Sequence, residues 1–208
     1  AMPAVSAKID NTSSGRPQLA LNDADIVYVT RVEVGLTRLL PVWHSRMPES
    51  LGPVRSVRPV DAAIVDPFHG VFVFSGGQVP FKNAAKATGL VISDEDTEMN
   101  NDTYYREKGR KAPWNLYFKA QDLQALYADQ QPSPQAGFAF DAIPTAVSEG
   151  VVAKGLSVKY PQMRSVWDLG TASFPWAEAL QTAWLRSQDG TPHTQVGGDQ
   201  VAAKNVVV

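Results

Sequence analysis

Cysteine is absent from this chain. That absence removes disulfides, thiolate zinc sites, thiol catalysis and iron–sulfur clusters together. Long apolar runs are also missing, and none approaches the roughly 20 residues that cross a bilayer as a helix. No large charge imbalance exists either. Nineteen basic and 21 acidic residues leave a formal net charge of −2, so no overall field draws the chain to nucleic acid or to an anionic membrane. The histidines, His44, His69 and His193, are widely separated, which argues against a metal site. No repeats, heptads or cofactor fingerprints occur, and no cofactor is expected. Lysine is absent from Ile9 to Phe81.

What fills that lysine-free stretch is arginine. Arg31, Arg38, Arg46, Arg55 and Arg58 fall within it, centred on Gly52-Pro53-Val54-Arg55-Ser56-Val57-Arg58-Pro59. A guanidinium is a planar fork that grips carboxylate or phosphate at two points, which an ammonium cannot do. The 208 residues, 44% hydrophobic and 19% charged, suit a soluble globular chain with a normal core. Fifteen prolines and fifteen glycines call for many turns and short elements.

Local pattern gives a coarse map. Val5 to Asp10 reads as a first strand, followed by a turn-rich stretch from Asn11 to Pro17. The β-branched run from Asp25 to Val34 reads as a strong strand, with Arg31 and Glu33 on one face. Gly35 ends it, and Leu36 to Ser45 forms its antiparallel partner. A short helix is expected over Val57 to Val65, beginning near Pro59. Gly70 to Gly77 reads as a buried strand running into a flexible loop. A helix over Pro80 to Ala87 and a strand over Leu90 to Ile92 follow. Asp94 to Arg110 reads as a polar loop, and Gln121 to Ala128 as a helix. Gln130 to Gln135 is the best linker candidate, dividing residues 1–135 from a strand-rich part, 136–208. Within the latter, Val151 to Tyr160, Val166 to Asp168, Thr182 to Ser187 and Asn205 to Val208 read as strands, and Ser187-Gln188-Asp189-Gly190 as a hairpin turn. The order implies an α+β fold, a layered sandwich of mixed β-sheets with helices. Ala1-Met2-Pro3 reads as the trimmed start of a longer chain.

Several constellations could carry chemistry. Arg31, Glu33, Arg38, Arg55, Ser56 and Arg58 form either an anion-gripping pocket or an internal ion-pair network, whose burial is costly unless every proton finds an acceptor. Ser75, Gly76 and Gly77 lie between a strand and a helix, where backbone N–H groups can approach an anion. They form neither a P-loop nor a nucleophile elbow. Arg110, Trp114, Asn115 and Tyr117 could make a polar wall with aromatic platforms, or ordinary packing. Asp94, Glu95, Asp96, Glu98 and Asp102 suggest a calcium loop in spacing, but Met99 stands where the turn needs glycine. His193, near Arg186 and Asp189, is either a general acid–base group or a surface turn residue. Glu33 could be an acid or base only beside a second carboxylate, with Asp61 and Asp66 as the candidates.

These pieces together resemble the YerB-like lipoproteins. The resemblance rests on Ile9-Asp10-Asn11, Arg16-Pro17-Gln18, Ala24-Asp25-Ile26-Val27-Tyr28, Glu33, Thr37-Arg38, the Gly52–Pro59 block and Ser75-Gly76-Gly77. It continues through Arg110-Lys111-Ala112-Pro113, Asn115-Leu116-Tyr117, Trp184-Leu185-Arg186, Asp189-Gly190, Pro192-His193 and Asn205-Val206-Val207-Val208. Trp114 stands where the family pattern would place histidine. The resemblance implies an N-terminal domain and a smaller C-terminal domain running past Val208. It also implies a secreted bacterial protein of the Gram-positive type, tethered by lipid on a cysteine upstream of Ala1. No activity is implied. The expected role is therefore non-catalytic binding of an anionic or polar small molecule or cell-wall fragment. Arg38, Arg55 and Arg58 would supply charge, Ser56, Ser75 and Gly76 neutral donors, and Trp114 and Tyr117 the walls. The alternative is a wall glycan, peptide or phosphate hydrolase or transferase using Glu33 with Arg38 or Arg55. Nucleic acid is not an expected partner.

Overall fold

The structure is a computed structural model, and it describes residues 2–98, 102–130, 132–134, 138 and 150–208. In chain order the elements are β1 (Val5–Ala7), β2 (Ile9–Asp10), β3 (Ile26–Arg31), β4 (Thr37–Trp43), β5 (Ser50–Leu51), α1 (Asp61–Val65), β6 (Val71–Phe74), α2 (Val79–Lys86), β7 (Val91–Asp94), α3 (Glu95–Glu98), β8 (Tyr104–Arg106), β9 (Leu116–Lys119) and α4 (Ala120–Leu126). Then come β10 (Gly155–Lys159), β11 (Arg164–Ala172), β12 (Gln181–Gln188), β13 (Thr191–Pro192) and β14 (Ala202–Ala203). The fold is α+β with mixed sheets, as the sequence pattern implies.

The central sheet is mixed. β1 and β2 are two halves of one strand, broken at Lys8, and both pair antiparallel with β4. β4 pairs antiparallel with β3 on its far side. On the other side β1, β6 and β7 run parallel, with α2 as the crossover between β6 and β7. Strand alternation gives the sheet two buried faces. Leu39, Val71 and Val73 point into a core shared with β5, β9 and α4, while Leu40, Phe72 and Phe74 point toward α1 and α2. The second sheet, β5-β9-β8, is antiparallel, as is the third, β10-β11-β12, with β13 and β14 both on the outer edge of β12.

Several expected elements differ from the observed ones. The β3 run ends at Arg31 rather than Val34. Glu33–Gly35 is a 3-10 turn with Val34 in the left-handed region (φ 59°), so Arg31 and Glu33 do not share a strand face. Closing a tight hairpin onto β4 outweighs the β preference of the valines. The α1 helix starts at Asp61, two residues beyond Pro59. The stretch expected as loop contains α3 and β8, and β9 covers residues read only as an aromatic wall. The final strand is Ala202–Ala203, and residues 205–208 lie outside it. Gln135 and the division beside it lie outside the described residues. Asp189 and Gly190 both have positive φ (54° and 84°), the geometry of the expected two-residue hairpin turn between β12 and β13.

Residues after 150 are bonded to the first third of the chain through a polar seam. The Asn22 side chain accepts from the Ala202 N–H and donates to the Gln200 carbonyl. Val196 N–H donates to the Gln18 carbonyl. Behind this lies Arg186, only 1% exposed, which donates to Ser165 Oγ, Gln188 Oε1 and His193 Nδ1. His193 Nε2 donates to Gln18 Oε1 at 2.7 Å. Burial, then the charges of Arg186 and Arg16, hold the imidazole down at about 2. It is therefore neutral throughout the ordinary range.

Two outcomes follow from the packing. A Cβ on Gly52 would stand 2.4 Å from the Tyr117 ring, so Gly52→Ala should cost about 1–3 kcal/mol by overpacking, measurable by urea unfolding. For His193 the folded value lies below the unfolded one, so the unfolded chain takes up the proton first as pH falls. Stability should be intact above pH 6.5 and decline below it, by up to about 1.4 kcal/mol per pH unit from this group. Unfolding curves at pH 7 and pH 5 should differ less in His193→Gln than in the parent; equal differences would contradict the assignment.

Candidate functional site

Ser6, Lys8 and Asp10 alternate along the β1–β2 strand and share the sheet face of Phe72, to which Ser6 is paired. Asp10 lies opposite Arg38, and Arg38 opposite Thr30. The apolar face packed under α1 therefore turns polar where β2, β6 and β7 end and β4 begins. The carboxyl ends of parallel strands are where open α/β sheets bind ligands.

At this edge the Gly52–Pro59 block lies along the strand ends. Arg55 N–H donates to the Lys8 carbonyl, Ser75 N–H to the Arg55 carbonyl and Val57 N–H to the Gly76 carbonyl. Lys8 is fully buried, with Nζ donating to Asp61 Oδ1 and to Thr30 Oγ1, each at 2.6 Å. Burial pushes Lys8 down and Asp61 up, and their mutual attraction opposes both shifts. The other Asp61 oxygen accepts the Arg58 N–H at 2.7 Å. One buried carboxylate thus ties the strand, the start of α1 and the arginine segment together.

Three guanidinium groups sit above this pair. Arg38 is 8% exposed and donates from Nη1 to the Ser56 carbonyl at 2.7 Å. Burial, then Arg58 and Arg55, lower it to about 10. Arg58 donates to the same Ser56 carbonyl and to that of Val57, and its Nε faces the Glu33 carboxylate at 2.7 Å. Burial acts to raise Glu33, but its own backbone N–H and the Arg58 guanidinium outweigh that and hold it below the usual carboxylate range. Arg55 Nε lies 2.9 Å from Asp10 Oδ2 but without the alignment of a hydrogen bond. Asp10 itself also accepts the Thr12 N–H. Four cations thus stand against three carboxylates, and the Nη groups of Arg55 have no protein acceptor among the described residues.

The structure therefore brings Glu33, Arg38, Arg55, Ser56 and Arg58 together, with the Ser56 carbonyl rather than its hydroxyl as the hub. Arg31 is exposed at the end of β3 and joins no pair among the described residues. Ser75 and Gly76 border the same edge, but their expected donor roles are taken. The Ser75 hydroxyl donates to Glu95 at 2.6 Å and Gly76 N–H to Asp94 at 3.0 Å. Gly77 is close-packed instead, since a Cβ there would meet Val57 at 2.6 Å.

The acidic stretch makes ion pairs, Lys82 with Asp94 and Asp96, and Arg106 with Glu95. Met99 lies outside the described residues. Arg110 braces the loop before β9, donating to the Tyr117 hydroxyl and to the carbonyls of Gly15 and Pro17. Tyr117 is buried, and burial raises its phenol to about 12, so this ring forms no open wall. Asn115 faces Arg106, and Trp114 is half-buried with a buried, unpartnered indole N–H. His193 is a buried seam residue rather than an acid–base group or a surface turn residue. Asp61 is sealed under Lys8, and Asp66 follows α1 at its far end, so neither stands as a solvent-facing partner to Glu33.

Lys8 and Asp10 were missed by motif reading, and Glu95 was read only within the acidic stretch. The signal for the first two was present: polar residues at period two inside an otherwise apolar strand.

Comparison with known proteins fits this architecture. Residues 1–133 match the family described as "Protein of unknown function (DUF3048) N-terminal domain". The chain is similar to YerB of Bacillus subtilis strain 168, a protein named as a lipoprotein on inference, at 29% identity over 153 residues. That match covers 71% of this chain and 46% of the relative, so the matched region spans about half of the relative's length. The crystal structure of Bacillus subtilis YerB superposes with a TM-score of 0.75 at 23% identity, over 97% of this chain and 66% of the other. The chain belongs to the YerB-like DUF3048 family, whose N-terminal domain it contains.

Proposed function

We propose that this chain is a non-catalytic binding domain that holds an anionic or polar ligand at the arginine-rich edge of the central sheet. Its setting is the outer side of a bacterial membrane, with the protein tethered by lipid. The inferred lipoprotein naming of the Bacillus subtilis relative supports that setting. Arg55 carries the reading. It is fixed in place by Asp10, it is 21% exposed, and its Nη donors are unmet by protein among the described residues. Arg38 and Arg58 beside it leave local positive charge in excess, and an oxyanion would relieve it. Bidentate capture by a guanidinium suits carboxylate and phosphate alike, which points to an acidic wall fragment or a small phosphorylated or carboxylated compound. Glu33, already ionised and paired with Arg58, contributes by holding that arginine rather than by moving protons.

A ligand that binds only the folded chain raises its melting point. At 100 times its Kd it contributes about 2.7 kcal/mol, roughly 5–10 °C for a chain of this size. A thermal-shift screen with citrate, glucuronate and muramyl peptides should find such a ligand. Arg55→Gln should abolish that ligand's shift while lowering stability by only about 1–2 kcal/mol, because Asp10 keeps its Thr12 donor. Collapse of the fold in Arg55→Gln, or an undiminished shift, would contradict the reading.

A further inference from the structure

A second feature lies at the polar seam, where the loop following Asp10 meets the β12–β13 hairpin. There an open pocket of about 270 Å³ is walled by Ser13, Arg16 and Pro17 on one side and by residues 191–194 on the other. It has room for a compact molecule, since each liquid water takes about 30 Å³. Its lining carries one full charge, the Arg16 guanidinium, and three hydroxyl-bearing side chains, Ser13, Thr191 and Thr194. No carboxylate lines it among the described residues.

Arg16 is poorly matched by the protein. Its contacts are long: 3.3 Å from Nη2 to Asp189 and 3.4 Å from Nε to the Thr12 carbonyl. Charge-assisted bonds normally close to about 2.7–2.9 Å. Asp189 is also shared, accepting the Arg164 N–H and the Gln188 side chain. Behind the pocket stands Arg186, 99% buried by its 1% exposure. It forms no ion pair with a carboxylate among the described residues, and its Nε is buried without a hydrogen-bond partner. Its closest neighbour toward the pocket is the neutral His193 ring. A buried cation without a directly paired counter-charge is costly, and the seam holds one behind an open cup whose lining carries no carboxylate among the described residues.

We propose that this seam pocket binds a small tetrahedral oxyanion of the phosphate class. Arg16 holds it at two points, and the hydroxyls of Ser13 and Thr194, on opposite walls, satisfy the remaining oxygens, the Thr191 hydroxyl being given to the Gln188 carbonyl. A tetrahedral anion offers acceptors in several directions, which fits donors on opposite walls better than a flat carboxylate does. The same ion offsets the Arg186 charge through the His193 ring. It bridges the Ser13–Pro17 loop and the β12–β13 hairpin, so occupancy fastens the two parts of the chain across the seam.

The experiment titrates sodium phosphate, against sodium chloride at matched ionic strength, into the 15N-labelled chain while the imidazole resonances are followed. Glucose 6-phosphate in parallel distinguishes a monoester from the free ion. The His193 signals should move saturably while those of His44 and His69 stay fixed. Arg16→Gln should weaken binding by about tenfold or more, the loss of one charged contact. Arg16→Lys should retain part of it, and Arg55→Gln should leave it unchanged. An unmoved His193 at tens of millimolar phosphate would overturn the proposal. So would parental affinity in folded Arg16→Gln, or loss of the His193 response in Arg55→Gln. Should Arg16→Gln fail to fold, Thr194→Val on the opposite wall decides the matter by the same readout, with weakened binding expected and unchanged binding contrary.

Discussion

The ammonium of Lys8, sealed against Asp61 beneath the sheet edge, is the constraint on which the arginine site depends. It binds the broken strand β1–β2 to the first turn of α1. Through the second Asp61 oxygen it also fixes the backbone of Arg58. A buried pair of this kind adds little net stability, yet breaking it leaves an unmatched charge inside. Its value here is positional. The segment from Arg55 to Arg58 cannot slide along the strand ends without uncovering a charge that water cannot reach.

Above that anchor the charges do not close. Asp10 faces Arg55, Glu33 faces Arg58, and among the described residues Arg38 is held only by a carbonyl. Burial first, and then the neighbouring Arg58 and Arg55 charges, lower Arg38 to about 10. In a purely structural network one expects the carboxylates to match the cations and the Nη protons to be taken up. The central sheet instead carries more guanidinium than carboxylate among the described residues at the edge where its parallel strands end. The seam pocket repeats the pattern with different residues, Arg16 and the buried Arg186.

Much of the fold was legible from local pattern. The β-branched run at Ile26–Arg31, its antiparallel partner Thr37–Trp43 and the Asp189-Gly190 turn all declare themselves, because β-branched runs and positive-φ turns leave direct marks on residue choice. The arginine site was half legible. Lysine's absence and the Arg55–Arg58 spacing drew attention to the right segment. Asp10 and Lys8 did not, since a charged residue inside a strand gives no sign of which distant helix will neutralise it. Tyr117 and His193 were misread for the same reason. Aromatic and imidazole groups look alike in sequence whether they face water or close a core, and only the packing of Gly52 on Tyr117 and of Gln18 on His193 decides. β8 and β9 were hidden by polar neighbours, their strand state being set by tertiary pairing rather than by intrinsic preference.

The proposed binding role requires Arg38 and Arg55 to converge with donors left over for a negatively charged guest. The most direct measurement is the Nε–Hε spectrum of the arginine side chains, recorded while the tightest-binding anion of the thermal screen is added. The Arg38 and Arg55 signals should shift together and slow their exchange with water as the site fills. If both stay unchanged while the anion saturates the chain, the guanidinium cluster is an internal brace and the ligand sits elsewhere.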